Sequence, residues 1–292
     1  MSRNLTVLRL TPEALPPATG DTLDELASKR REAAGKIPQD DAAGADREPD
    51  RWTVRRVAAN LSAAAHLLGS EKPCYAGEQY RIARTKLIQR FKRPLRLAVT
   101  SPGVGDGKSM SSVSLAVAMA LSGEARTLLI DADLRGASIH RILELPAEPG
   151  LADVLSGACS IQEAMLEITN MPGLFVLTAS KTDANPTELF DSAAWRDLMG
   201  SARDDFAHIV VDGPPVDMVA DSDLISAVCD GVVMVVRPDH TNRTLCFSAL
   251  AKLKPKMAGV LINDVEDWFL WKKNTSHDYG YYRRHEKPGR RG

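Results

Sequence analysis

Residues 97–109, Leu-Ala-Val-Thr-Ser-Pro-Gly-Val-Gly-Asp-Gly-Lys-Ser, constrain the fold of this chain more than any other stretch. An apolar strand runs into a glycine-rich loop, and Lys108-Ser109 opens an apolar helix. Backbone N–H groups converge on an anion only where side chains are absent, and a helix N-terminus adds its positive dipole end. Gly103, Val104, Gly105, Asp106, Gly107, Lys108, Ser109 and Met110 are therefore the expected phosphate cradle. In such a cradle Lys108 reaches the β- and γ-phosphates of a nucleotide, and the Ser109 hydroxyl holds Mg²⁺. The spacing G-x-x-x-x-G-K-[ST] would place its first glycine at Pro102; Gly103, Gly105 and Gly107 supply the freedom one residue later. The stretch predicts a nucleotide-binding α/β protein.

The rest of the chain agrees with that class. Expected strands cover residues 95–100, 127–131, 174–178, 208–212, 232–236 and 259–262, and expected helices cover 78–91, 186–199, a turn or two near Leu224, and 241–253. Nearly continuous apolar strands separated by helices imply a mostly parallel sheet with helices on both faces, as in P-loop NTPases. This domain is expected over residues 73–264. Residues 1–72 read as a largely disordered extension, with a short helix over 22–34 and an amphipathic helix over 52–68, where Val54, Val57, Leu61 and Leu68 recur at helical spacing. Residues 265–292 read as an aromatic patch, Trp268-Phe269-Leu270-Trp271, followed by a basic tail. No internal repeat is visible.

Composition excludes several classes. A formal net charge of −1 over 292 residues gives no general attraction to nucleic acid. The cysteines, Cys74, Cys159, Cys229 and Cys246, lie far apart with no C-x-x-C pair, which suits reduced thiols better than disulfides or zinc. The N-terminus has no signal-peptide core, and no run approaches the ~20 apolar residues of a membrane span. A cytoplasmic location is expected, with recruitment to the inner face of the membrane through a partner.

Acidic residues cluster at the ends of the expected strands. Asp212 closes an apolar strand at the edge where α/β proteins hold nucleotides, a place suited to holding Mg²⁺ through water. In Leu128-Leu129-Ile130-Asp131-Ala132-Asp133-Leu134-Arg135, alternation puts Asp131 and Asp133 on one side of an extended backbone and turns Arg135 the same way. Carboxylates beside a polyphosphate repel it unless a metal intervenes; with Mg²⁺ they can hold its water shell and accept a proton from an incoming hydroxyl.

Over residues 75–264 the chain resembles the bacterial tyrosine kinases (BY-kinases) of capsule and exopolysaccharide synthesis. The resemblance rests on the loop Thr100-Ser101-Pro102 through Gly107-Lys108-Ser109, and on Leu129-Ile130-Asp131-Ala132-Asp133-Leu134-Arg135, which looks like the family's Walker A′ element. It continues through Ser138-Ile139-His140-Arg141, residues 148–155, Asn185-Pro186-Thr187-Glu188-Leu189 and Ile209-Val210-Val211-Asp212-Gly213-Pro214-Pro215. The resemblance implies ATP and Mg²⁺ as cofactors. It makes Lys108, Asp131, Asp133, Arg135 and Asp212 the catalytic set, with Asp131 as base, Arg135 ordering the A′ segment, and Ser109, Asp131 and Asp212 as metal ligands. Glu78, Arg81 and Arg84 match the family's E-x-x-R-x-x-R helix, which joins subunits in a ring; Tyr80, Ala83, Leu87 and Phe91 would then face the domain. The implied phosphate acceptors are Tyr279, Tyr281 and Tyr282, delivered to a neighbouring subunit. A separate membrane protein of the polysaccharide co-polymerase type and a cognate tyrosine phosphatase are the implied partners.

Some residues depart from the family's pattern: Gly213 stands where Thr is usual, and Gly136-Ala137 replaces Arg-Pro. Two other readings remain open at this point: a MinD/ParA-like ATPase, although Gly103 stands where that group carries a second Lys, and a nucleotide-binding regulatory adaptor of weak activity.

Overall fold

The computed structural model describes residues 7–9, 54–68, 75–91, 93–123, 126–216 and 218–264. All of them belong to one unit, Met1–Leu10 with Val54–Gly292; Thr11–Thr53 form a second unit that lies outside the described residues. The expected helix over 22–34 and everything expected of residues 265–292 also lie outside them.

The centre of the fold is a parallel sheet built from the apolar runs. Strand β3 (Leu95–Thr100) lies between β7 (His208–Asp212) and β8 (Gly231–Val236). Strand β4 (Thr127–Asp131) and then β6 (Leu174–Leu177) continue beyond β7, and β9 (Met257–Ile262) continues beyond β8. These six strands are mutually parallel. Their side chains explain why: Leu97, Val99, Leu128, Leu129, Ile130, Val210, Val211 and Val233 are fully buried, so both faces need cover. Among the described residues, three-residue strands complete a nine-stranded sheet. β1 (Val7–Arg9) runs antiparallel along β9, β5 (Leu166–Ile168) runs antiparallel to β6, and β2 (Arg55–Val57) runs parallel to β5.

The helix Lys108–Ala120 follows the glycine loop and has 11 of its 13 residues buried. Its Ser, Ala and Val side chains let it lie close on the sheet, and helix Tyr75–Arg90 covers it from outside. Tyr80, Ala83 and Leu87 are buried on the inner side of that outer helix, with Phe91 packed against the core, as their spacing predicts.

Two expected helices come out differently. Residues 54–68 form β2, a 3₁₀ turn at Ser62–Ala64 and a short helix at Ala65–Leu68, where one helix over 52–68 was expected. Asn170 brackets the segment, its side chain accepting from the Ala59 N–H and donating to the Ala59 carbonyl. Asn60 Oδ1 then caps the turn by accepting from the Ser62 N–H at 2.9 Å. The helix expected over 186–199 divides into Pro186–Asp191 and Ala193–Asp205, because the Ser192 hydroxyl accepts from the Trp195 N–H and begins a new helix. No helix among the described residues is long and apolar enough to cross a membrane.

Candidate active site

The carboxyl ends of β3, β7 and β4 lie side by side, with the glycine loop after β3 arching over them. Gly107 caps the following helix at φ +90° and Gly105 sits at φ +85°, a region that side chains rarely enter. The loop is held from within and from outside. Gly103 N–H donates to Asp106 Oδ2 at 3.0 Å, while Asp106 Oδ1 accepts from the Thr241 hydroxyl at 2.7 Å and lies 3.2 Å from His240 Nδ1. The Asn263 amide donates to the Asp106 carbonyl at 3.0 Å and lies so near Gly107 that a Cβ there would sit 2.0 Å from its nitrogen. Asp106 thus anchors the loop to the segments that follow β8 and β9.

Asp131 and Asp212 are register partners on β4 and β7. Asp131 Oδ2 accepts from the backbone N–H groups of Ser138 and Ile139, at 3.1 and 3.0 Å, and Asp212 Oδ1 accepts from the Ser112 hydroxyl at 2.9 Å. The remaining oxygen of each carboxylate, Asp131 Oδ1 and Asp212 Oδ2, is buried without a hydrogen-bond partner. The Lys108 ammonium lies 2.7 Å from Asp133 Oδ2 and 4.0 Å from Asp212 Oδ2. Asp133 Oδ1 accepts from the Gly136 N–H at 2.9 Å, which closes the turn after the A′ strand.

One cation among three acids sets the electrostatics. Burial pushes Asp212 up to about 7, with the Lys108 charge working against the rise. Burial also raises Asp131, against its two backbone hydrogen bonds. Lys108 is raised because Asp212 and Asp133 outweigh the burial that would lower it. The two orphaned carboxylate oxygens and the Ser109 hydroxyl fit a divalent cation that takes oxygen ligands and keeps most of its water and phosphate partners. Among the described residues no group of three or more His, Cys, Asp or Glu is arranged to hold a metal unaided, so Ser109 and two strand-tip aspartates are what the protein offers.

A cleft of about 430 Å³ opens above these groups, lined by Lys108, Ser109, Asp133 and Arg135 and walled by Pro214 and Pro215. Val104 and Met218, also in the lining, are 68% and 62% exposed and form an apolar rim that suits the face of a base.

Arg135 does not follow the expected alternation. The extended strand ends at Asp131, and residues 134–136 form a turn. Arg135 Nε lies 3.0 Å from Asp221 Oδ2, and the Thr187 hydroxyl donates to Asp221 Oδ1 at 2.5 Å. The A′ turn is thereby tied to helices Pro186–Asp191 and Asp221–Ala227. The helical face Glu78, Arg81 and Arg84 is partly engaged within the fold. Arg81 pairs with Glu78 at 3.4 Å and donates to the Leu67 carbonyl, and Arg84 donates to the Ala118 carbonyl at 3.1 Å. Tyr279, Tyr281 and Tyr282 lie outside the described residues.

Several of these contacts have no local sequence signal. Ser112 lies one helical turn beyond Lys108 and its polarity in an apolar helix is a faint hint. Thr241 and Asn263, in distant loops, and Asp221, at the start of a distant helix, carry none.

No family model matches the chain. It is 31% identical over 214 residues to the tyrosine-protein kinase CpsD of Streptococcus agalactiae, covering 72% of this chain and 91% of the relative. It is 34% identical over 211 residues to the tyrosine-protein kinase YwqD of Bacillus subtilis, covering 70% and 85%. Among solved structures, the chimerical protein CapA2B2 superposes with a TM-score of 0.65 at 26% identity, over 74% of this chain and 96% of that one. The kinase domain of the Escherichia coli tyrosine kinase ETK does so with a TM-score of 0.62 at 26% identity, over 71% and 81%. At 31% and 34% identity to tyrosine-protein kinases matched over 91% and 85% of their own length, and with the fold of solved tyrosine kinase domains, the chain belongs to the bacterial tyrosine kinase (BY-kinase) family.

Proposed function

We propose that the chain is an ATP-dependent protein-tyrosine autokinase that regulates exopolysaccharide or capsule synthesis or export. In this reading it phosphorylates Tyr279, Tyr281 and Tyr282 of a neighbouring copy. The observation that carries the reading is the position of Lys108, seated between Asp133 and Asp212 under the glycine loop, with an unpartnered oxygen on each of Asp131 and Asp212 beside it.

ATP phosphates would lie along the loop N–H groups, drawing Lys108 from its acids. Mg²⁺, held by Ser109, Asp131 and Asp212, would supply charge neutralisation of the phosphates. The acceptor tyrosine oxygen attacks the γ-phosphorus, ADP leaves, and the phenol proton passes to a carboxylate. Asp131, at the tip of β4, is the proposed acceptor of that proton. Arg135 and Asp221 hold the A′ turn so that Asp133 stays against the site. Glu78 and Arg81 keep 47% and 39% of their side chains exposed and are the proposed contact to a second copy, with Arg84 behind them. A polysaccharide co-polymerase in the membrane and a tyrosine phosphatase complete the proposed partners.

Incubation of the purified full chain with Mg-ATP, followed by detection of phosphotyrosine, tests this reading. Phosphotyrosine should form, disappear in Lys108→Met, and disappear in the triple Tyr→Phe variant of the tail. ATP hydrolysis without phosphotyrosine would instead mark a positioning ATPase, and nucleotide binding alone would mark an adaptor.

A further inference from the structure

Beside the phosphate cleft, across the A′ turn, lies a second and wider groove of about 750 Å³. Its lining includes Arg135, His140, Arg141, Ser180 and Lys181, with Asp183 as the acid at its lip. Arg135 and Gly136 line both cavities, so the groove leads directly into the cleft where phosphoryl transfer is proposed. Arg141 and Lys181 are exposed, and Arg141 commits one nitrogen to the Ala137 carbonyl at 2.8 Å. With Arg135 already paired to Asp221, Arg141 and Lys181 are the cations the groove offers, set against Asp183.

Ser180 adds a separate observation. Its backbone sits at φ +56°, unusual for a residue with a side chain, and its hydroxyl is buried without a hydrogen-bond partner. Ser180 is only 6% exposed, so this hydroxyl is a donor held at the groove wall in a strained conformation. Two exposed cations, Arg141 and Lys181, and an unpartnered hydroxyl beside a phosphotransfer cleft suit an anionic side chain close to the transferred group.

We infer that this groove is an acceptor subsite that takes an acidic residue immediately preceding the acceptor tyrosine, presented by the tail of a second copy of this chain. The inference rests on the autokinase reading. In the tail, Asp278 directly precedes Tyr279, whereas Gly280 precedes Tyr281 and Tyr281 precedes Tyr282. The groove therefore favours the register that delivers Tyr279, where the preceding residue is acidic, over those that deliver Tyr281 or Tyr282, where it is uncharged. Tyr279 is the first tyrosine modified.

The test is binding of a fluorescein-labelled peptide covering residues 274–284 to the full chain. The host carries Asp278→Asn, which weakens competition from its own tail, and is loaded with a non-hydrolysable ATP analogue and Mg²⁺. Reversing two groove charges in the host, Arg141→Glu with Lys181→Glu, should raise the peptide Kd roughly fivefold to tenfold. The nucleotide Kd should stay within about twofold. A peptide with Asp278→Lys should bind the unreversed host as weakly as the original peptide binds the reversed one, and regain affinity with the reversed one. In the native full chain with Mg-ATP, mass spectrometry should find phosphate on Tyr279 before Tyr282. An unchanged peptide Kd after charge reversal, or modification of Tyr282 first, overturns the inference. Peptide binding that depends on the groove without any phosphotyrosine in the native chain would instead overturn the autokinase reading alone.

Discussion

Asp131 and Asp212 are register partners on adjacent parallel strands, and each keeps one buried carboxylate oxygen without a hydrogen-bond partner. Lys108, 4.0 Å from Asp212 Oδ2, relieves this only in part, which is the expected character of a site organised for a ligand.

Asp212→Asn should therefore stabilise the nucleotide-free protein while abolishing phosphotyrosine formation. Burial raises Asp212 from 3.8 to about 7, so the native state binds its proton more tightly than the unfolded chain does. For that group, stability is fully present below pH ~4 and is lost as pH rises towards 7. In urea melts at pH 8 the variant should gain about 1–3 kcal/mol, with the difference fading near pH 4. A variant no more stable than the parent at pH 8 would count against the arrangement.

His208 acts in the opposite sense. Both ring nitrogens are buried without a hydrogen-bond partner, and burial, followed by the charges of Arg93 and Arg84, pushes it down from 6.5 to about 4. The unfolded chain then binds the proton more tightly. The contribution of the neutral ring is whole above pH ~6.5 and is lost as pH falls to 4. His208→Met should remove roughly 2–3 kcal/mol of acid sensitivity across that window, measured as the difference between its urea-melt profile and that of the parent.

Gly107→Ala should weaken ATP binding at least tenfold and lower the thermal midpoint. Its Cβ would stand 2.0 Å from the Asn263 nitrogen, at a backbone φ of +90°. Adding Asn263→Ala should relieve the collision yet restore binding only in part, because the left-handed backbone remains costly for alanine by about 1 kcal/mol or more. Isothermal titration with ATP analogue separates the two contributions.

Gly213 is the contrasting case. A Cβ there would meet the Val99 carbonyl at 3.6 Å and Ile225 at 3.9 Å, ordinary contacts, and its φ is not left-handed. Gly213→Ala should leave ATP affinity unchanged and raise stability by about 0.4–1 kcal/mol through the unfolded chain. Chemical denaturation with parallel nucleotide titration checks both statements.

Much of this architecture was legible in the chain. Strands 95–100, 127–131 and 208–212 form with the expected ends, because buried parallel strands need unbroken β-branched and aliphatic runs, and each run stops at a polar residue. The glycine loop was legible for a related reason: positive φ at Gly105 and Gly107 tolerates little else. The three-residue strands β1, β2 and β5 were not, since a run that short carries no periodicity and exists through its neighbour. The turn that carries Arg135 into the cleft was not legible, because alternation holds only while the strand lasts, and the strand ends at Asp131.

The amino-acid order alone determined the long apolar strands of the central sheet, the left-handed turns at Gly105 and Gly107, and that lysine, serine and aspartates stand at segment ends. Only the tertiary structure decided that β7 lies between β3 and β4, which brings Lys108, Asp131 and Asp212 together, and that Asp106 is tied to Thr241 and Asn263. The physical reason is range. Local propensity acts over a few residues, whereas strand neighbours are selected by burial of whole faces between parts of the chain about a hundred residues apart.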